Sequence, residues 1–229
     1  MKKTMLAVLL VLSMVVPIPV WAQYTQPSSS LTVKVLTTYS YKAEDGSTVV
    51  IGEVQNTNNF PVTGVRLGVS FYDEKGKILE YKTGTTLLKI VPPSGKAPYS
   101  IISTKKDPTI TDVSINLTGF NSSPARPQAL QISASTLQIS DQLTFSGTII
   151  NGGITPTTGT TIYLLSYDAF DRVVDIVTAT PLPDNIDPGK MANFSMTSTP
   201  KPITRSYKLL AESDNFQSPL VDVKDIKVK

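Results

Sequence analysis

Asp168, Asp171, Asp175, Asp184 and Asp187 form the one concentration of acidic side chains in this sequence, and the chemistry open to them is calcium binding. A calcium site needs about six to eight oxygens converging on one point, from a loop short enough to wrap the ion. Asp168-Ala169-Phe170-Asp171 reads as a hairpin turn, and Asp184 to Asp187 as an acidic loop before Pro188. Asp168, Asp171, Asp184 and Asp187 are therefore the metal candidates, with surface carboxylates as the other reading. Paired carboxylates could also cleave glycosides, but that chemistry calls for a cleft with sugar-stacking aromatics. The single Trp, Trp21, lies in the leader.

Other chemistry is excluded by what the chain lacks. It contains no histidine, so a Ser-His-Asp constellation cannot be assembled. It contains no cysteine, which removes disulfides, thiol nucleophiles, thiolate metal sites and a lipid-modified cysteine. Ser103-Thr104-Lys105-Lys106 and Ser198-Thr199-Pro200-Lys201 fit S-x-x-K, and Lys82-Thr83-Gly84 fits K-T-G. In penicillin-recognising enzymes that serine opens a helix and K-T-G follows it. Here Lys82 precedes both serines and prolines crowd the second, so the matches are coincidental. No catalytic residue and no cofactor is assigned. Three N-x-S/T sequons, at Asn116, Asn121 and Asn193, are possible glycosylation sites in a host that glycosylates exported proteins.

Export is written at the start. Lys2 and Lys3 precede an apolar run from Met5 to Val16, then Pro17, Pro19 and Val20-Trp21-Ala22, which is the layout of a secretory signal peptide over residues 1–22. An uncleaved membrane anchor is the alternative, since Met5 to Ala22 approaches a bilayer-spanning length. Without Lys2 and Lys3 the balance becomes 19 basic against 18 acidic residues, from 21 against 18. That near-neutral charge gives nucleic-acid binding no support.

The elements that must position these residues come in two copies. Gly52 and Asn56 match Gly147 and Asn151, Tyr72-Asp73 match Tyr167-Asp168, Pro93 matches Pro188, and Tyr99-Ser100 match Phe194-Ser195, at a constant offset of 95 positions. That period exceeds the roughly 20–50 residues of a solenoid repeat and suits a small domain able to enclose its own core. Val65, Leu67, Val69 and Phe71 alternate with Arg66, Gly68, Ser70 and Tyr72, the period-two pattern of a strand with one buried face. Val50, Gly52 and Val54 match Phe145, Gly147 and Ile149 on a second inward face, where the glycine predicts a bulge or a close approach of the facing sheet.

Further strands are predicted over 31–41, 77–81, 97–103 and 113–120, and over 129–139, 173–178, 192–197 and 207–211, with a last one in 221–229. Asp45-Gly46, Glu74-Lys75-Gly76, Pro93-Ser94-Gly95 and Asp187-Pro188-Gly189 supply the turns between them. Short strands with regular turn signals predict an all-β chain of two tandem immunoglobulin-like antiparallel β-sandwiches. The expected organisation is signal peptide 1–22, disordered lead-in 23–30, first sandwich 31–120, a Pro-containing linker 121–128 and second sandwich 129–229.

G-x-V/I-x-N, a strand ending in Tyr-Asp, and a Pro-Gly turn before an aromatic-Ser strand resemble a tandem of FxLYD-type domains. The resemblance covers Val49 to Ile102 and Thr144 to Met196. The naming pattern reads Val69-Ser70-Phe71-Tyr72-Asp73 in the first copy and Leu164-Leu165-Ser166-Tyr167-Asp168 in the second, so Tyr and Asp stand in both while the Phe and Leu positions differ. The family implies β-sandwich modules of secreted or envelope proteins in archaea and bacteria, with no established catalytic activity. Asp73 and Asp168 are expected to open turns by accepting backbone N–H groups two residues on. The expectation is a non-enzymatic secreted or cell-envelope module giving adhesion, spacing or a surface for an envelope or extracellular protein. The alternative is a ligand-binding accessory protein for glycan or calcium, using the second copy's acidic loops. A membrane enters only if the leader stays uncleaved.

Overall fold

The structure, a computed structural model, describes residues 32–223. The signal peptide, the lead-in and residues 224–229 of the expected last strand lie outside the described residues. Within them there is no helix.

The first copy contains β1 (Val33–Val35), β2 (Tyr39–Lys42), β3 (Thr48–Asn56), β4 (Val62–Tyr72), β5 (Ile78–Thr85), β6 (Ile90–Val91), β7 (Lys96–Ile102) and β8 (Asp112–Ser122). One sheet has β3 at its centre, β7 on one side, and β1 and β2 in succession on the other. The facing sheet has β4 at its centre, with β8 on one side and β5 and β6 on the other. The second copy contains β9 (Leu130–Ile139), β10 (Leu143–Asn151), β11 (Thr161–Tyr167), β12 (Val173–Ala179), β13 (Met191–Ser198), β14 (Ser206–Glu212) and β15 (Val221–Asp222). Its sheets run β13-β10-β9 and β12-β11-β14-β15. Every pairing is antiparallel.

The alternation read in the sequence is the alternation that is buried. Val50 and Val54 of β3 and Leu67, Val69 and Phe71 of β4 are fully enclosed between the first two sheets. Phe145 and Ile149 of β10 and Ile162 and Leu164 of β11 do the same in the second copy. The repeat holds at the level of registry: β3 and β10 begin and end 95 positions apart, at 48–56 and 143–151.

Both repeated glycines are packing residues; of the two reasons expected, the bulge is found at Gly147 alone, and in both copies a ring on the neighbouring strand crowds the position. Gly52 is paired directly with Tyr99 and Gly147 with Phe194, and it is the ring on this neighbouring strand that occupies the space a side chain would take. A Cβ on Gly52 would lie 2.5 Å from Tyr99 Oη, and one on Gly147 would meet the Ser133 carbonyl of β9 as well as Phe194 Cζ at 2.5 Å. The facing sheet is not what comes close. A bulge accompanies only the second copy, between Ser146 and Gly147.

Asn56 and Asn151 are fully buried and do identical work. Asn56 Nδ2 donates to the carbonyls of Phe60 at 2.8 Å and Val91 at 3.0 Å, while its Oδ1 accepts the Asn58 N–H at 3.0 Å. Asn151 Nδ2 donates to Thr155 and Ile186, both at 2.8 Å, and its Oδ1 accepts the Gly153 N–H at 2.8 Å. One buried amide thus ties the end of a strand to two neighbouring segments through their backbone carbonyls, and is itself satisfied by them.

Two boundaries differ from the sequence reading. The strand expected over 31–41 is broken: backbone between Val35 and Tyr39 leaves the ladder, so β1 and β2 pair separately with the two ends of β3. β8 continues through Asn121 and Ser122, which pair with Thr63 and Val62, so the expected linker begins inside a strand.

Candidate functional site

The outward faces of β3 and β11 ought to be polar if each sandwich stood alone. They are not. Val49, Ile51 and Glu53 point outward on β3, Tyr163, Leu165 and Tyr167 point outward on β11, and all six are buried. Tyr163, Leu165, Tyr167, Val173 and Leu210 of the second copy join the hydrophobic core of the first copy in one continuous cluster. The β11 sheet lies with this face against the β3 sheet, where β12 meets β2, β3 and β7. Apolar area removed from water on both sides is what holds the two sandwiches together.

Polar anchors fix the geometry. Tyr167 Oη donates to Glu53 Oε1 at 2.8 Å, both groups being buried. Lys96 Nζ lies 3.6 Å from Glu53 Oε2 and 3.6 Å from Asp171 Oδ2. Lys208 Nζ lies 3.7 Å from Asp171 Oδ1 and sits 4.6 Å from the centre of the Tyr167 ring. Burial pushes the Glu53 carboxyl above its ordinary range, against the opposing pull of Tyr167 and Lys96. Burial, and then the Glu53 charge, push the Tyr167 phenol upward, so it stays a proton donor.

A second anchor involves the connector itself. Glu212, at the end of β14, accepts the backbone N–H of Lys89 at 2.9 Å and that of Ile90 at 3.3 Å. It also pairs with Arg126 of the connector, whose Nη1 donates to the Ser213 carbonyl at 2.9 Å as well. Tyr163 Oη donates to the Leu87 carbonyl at 3.2 Å, and Lys89 Nζ meets Asp214 Oδ1 at 2.7 Å. Burial raises the Glu212 carboxyl, and burial with the Glu212 charge pushes the Tyr163 phenol up to about 12. On the far side Lys201 Nζ stands 4.3 Å from the centre of the Tyr41 ring.

The residues singled out in the sequence are dispersed around this junction. Asp73 Oδ1 accepts the N–H groups of Lys75 and Lys77, both at 2.9 Å, and Asp168 Oδ1 accepts those of Phe170 at 2.9 Å and Arg172 at 3.0 Å. The turn-opening role expected of both aspartates is what the geometry shows. Burial would raise the Asp168 carboxyl, but Arg172 and the two turn amides outweigh it and hold the group below its usual range. Asp171 faces Lys96 and Lys208, Asp184 bonds the Asn185 N–H at 2.9 Å, and Asp187 gives its backbone carbonyl to Lys190. Among the described residues no three acidic side chains stand close enough to hold a metal ion. The Ser103 hydroxyl donates to the Lys105 carbonyl and accepts the Thr48 N–H, both at 2.8 Å, so it is committed to backbone.

Asn116 is exposed on β8, Asn121 is exposed near the end of β8 and not in a connector, and Asn193 is exposed on β13.

Sequence reasoning missed the junction, yet the signal was present in the mismatches between the copies. Gly68 and Ser70 occupy the positions of Tyr163 and Leu165, whereas Thr144, Ser146 and Thr148 occupy those of Val49, Ile51 and Glu53. Each copy is greasy outside on a different sheet, as two non-identical faces of one contact require.

Fold and junction together define the class: an all-β chain of two antiparallel β-sandwiches packed face to face. No family model matches the chain, and no curated protein matches it. Among solved structures, the exo-chitosanase CsxA of Amycolatopsis orientalis is similar at 15% identity and a TM-score of 0.32, over 81% of this chain and 26% of that one. Red sea bream transglutaminase is similar at 13% identity and a TM-score of 0.28, over 84% of this chain and 31% of that one. The chain thus spans about a quarter to a third of these proteins, and at such scores neither assigns it an activity.

Proposed function

We propose that the chain is an exported, non-enzymatic module of the FxLYD type, acting in the cell envelope or outside the cell as a spacer that presents a surface for another protein. The observation that carries this reading is the burial of the outward faces of β3 and β11 against each other. Two sandwiches joined by a flexible connector would present their loops at variable distances. Two joined through a continuous core with Tyr167-Glu53 and Arg126-Glu212 anchors present them at one fixed distance, which is the physical requirement of a spacer.

The test is recovery of the full chain from its host. Fractionation with N-terminal sequencing should find it outside the cytoplasm, and affinity capture after mild cross-linking should return a defined partner protein in comparable amount. Recovery of the chain in the cytoplasm, or turnover in a broad hydrolase screen, would refute the reading.

A further inference from the structure

The fold makes the same notch twice. In the first copy, the turn after β4 and the segment before β8 enclose a depression lined by Asp73, Glu74, Lys75, Pro108, Thr109 and Thr111. In the second, the turn after β11 and the segment before β14 enclose one lined by Asp168, Ala169, Phe170, Arg172, Ile203 and Arg205. The turns are held by the same bonds, with Lys75 and Phe170 at equivalent positions, so the turn does not need an aromatic ring. Phe170 is nevertheless 79% exposed at the tip, beside Ile203 at 39%.

The cations in the second notch are unequal. Arg172 is matched by Asp168, with Nη2 2.7 Å from Oδ2, and lies 5.3 Å from the centre of the Phe170 ring. Arg205 is exposed, and its guanidinium meets only the backbone carbonyls of Pro202 at 3.3 Å and Thr204 at 3.1 Å. Among the described residues it has no carboxylate partner. A guanidinium so placed can take a carboxylate through two parallel hydrogen bonds, and aromatic and arginine side chains together are the composition of protein contact surfaces.

We propose that this notch of the second sandwich binds an acidic side chain flanked by an aliphatic or aromatic residue, on an extended segment of a partner protein. The carboxylate meets Arg205, and its apolar neighbour packs on Phe170 and Ile203. This rests on the reading of the chain as a protein-presenting module and names the contact. A protein segment fits better than an anionic lipid surface, because the notch offers one guanidinium with no carboxylate partner among the described residues beside two apolar side chains, which matches a single acid with an apolar neighbour and not a continuous layer of negative charge.

The experiment uses the full chain with a displayed library of random linear peptides, counter-selected on a Phe170→Ser/Arg205→Gln variant whose thermal unfolding matches the parent. Peptides carrying Asp or Glu beside Leu, Ile, Phe or Tyr should be enriched, and replacing that acid by its amide should weaken binding about tenfold or more. Failure to enrich over the variant, or enrichment of peptides without an acid, overturns the proposal. Phosphatidylglycerol vesicles that bind the parent and not the variant, with no peptide enriched, overturn it in favour of a lipid surface. If a partner captured from the host is retained equally by the variant, the notch is wrong while the spacer reading stands; if no partner is captured at all, that reading fails first.

Discussion

Substituting Tyr167 by Phe removes one oxygen atom from the junction and nothing else. The ring, which belongs to the same hydrophobic cluster as Leu165 and as Val173, the cross-strand partner of Tyr167, remains, so no cavity opens. What is lost is the 2.8 Å hydrogen bond to Glu53, a carboxylate only 3% exposed. A hydrogen bond to a charged group is worth about 1.5–3 kcal/mol, and its loss leaves the acceptor buried. Lys96 at 3.6 Å still compensates part of the charge, which places the expected loss near the lower end of that range.

The dependence on pH follows from the direction of the Glu53 shift. Its folded carboxyl holds a proton to higher pH than the unfolded one, so its contribution is most favourable at low pH and is lost as pH rises through the folded value. The tyrosine bond lowers that folded value. Removing it raises the value further, and the penalty of Tyr167→Phe should therefore grow from acidic to slightly alkaline buffer. The assay is urea unfolding of the mature chain at several pH values, with Glu53→Gln and the double variant completing a thermodynamic cycle. A Tyr167→Phe loss under about 0.5 kcal/mol, or the same loss at every pH, would refute the account of the anchor.

Arg126→Ala should destabilise by about 3 kcal/mol, because it leaves Glu212 buried with only backbone donors; urea unfolding measures it, and limited proteolysis should show cleavage in the connector that the parent resists. Asn151→Ala should cost about 2–3 kcal/mol by leaving the Thr155 carbonyl and the Gly153 N–H without partners; calorimetric melting of the variant checks it. Asp171 adopts φ of 57°, where the equivalent Gly76 has 76°. Asp171→Gly loses the contacts to both lysines and relieves that backbone, whereas Asp171→Ala loses the contacts and keeps the strain, so the alanine variant should be the less stable by about 1 kcal/mol in chemical unfolding.

The sequence carried the strands well because one face of each is sheltered by its own sandwich, and a period of two is enough to find that face. Val50, Val54, Leu67 and Val69 were legible for this reason. The expected strands at 173–178, 192–197 and 207–211 correspond to β12, β13 and β14 within one or two residues. The second buried face was not legible from alternation, since Leu164 and Leu165 read as one apolar run whichever way each points. Neither could alternation reveal that Glu53 is buried, because its shelter comes from Tyr167, more than a hundred positions away. β6 and β15, two residues each, are too short to have a period at all. The aspartates looked like a cluster on the page because they are near in number; the turns send Asp171 to two lysines and Asp184 to its neighbour's amide.

The contact between the copies is one-handed. It uses the β3 sheet of the first and the β11 sheet of the second, never the corresponding sheet twice. A further sandwich added by the same operation would have to lay its oily tyrosines on Thr144, Ser146 and Thr148, or receive the β4 face with Gly68 and Ser70 upon its own valine and isoleucine. Neither repeats the match of the existing contact: the first is lined by hydroxyls, and on the second Tyr81 lies over Gly68 where the other copy presents Tyr163. Duplication followed by divergence has made two unlike outer faces from one shared pattern, and the halves meet through that difference.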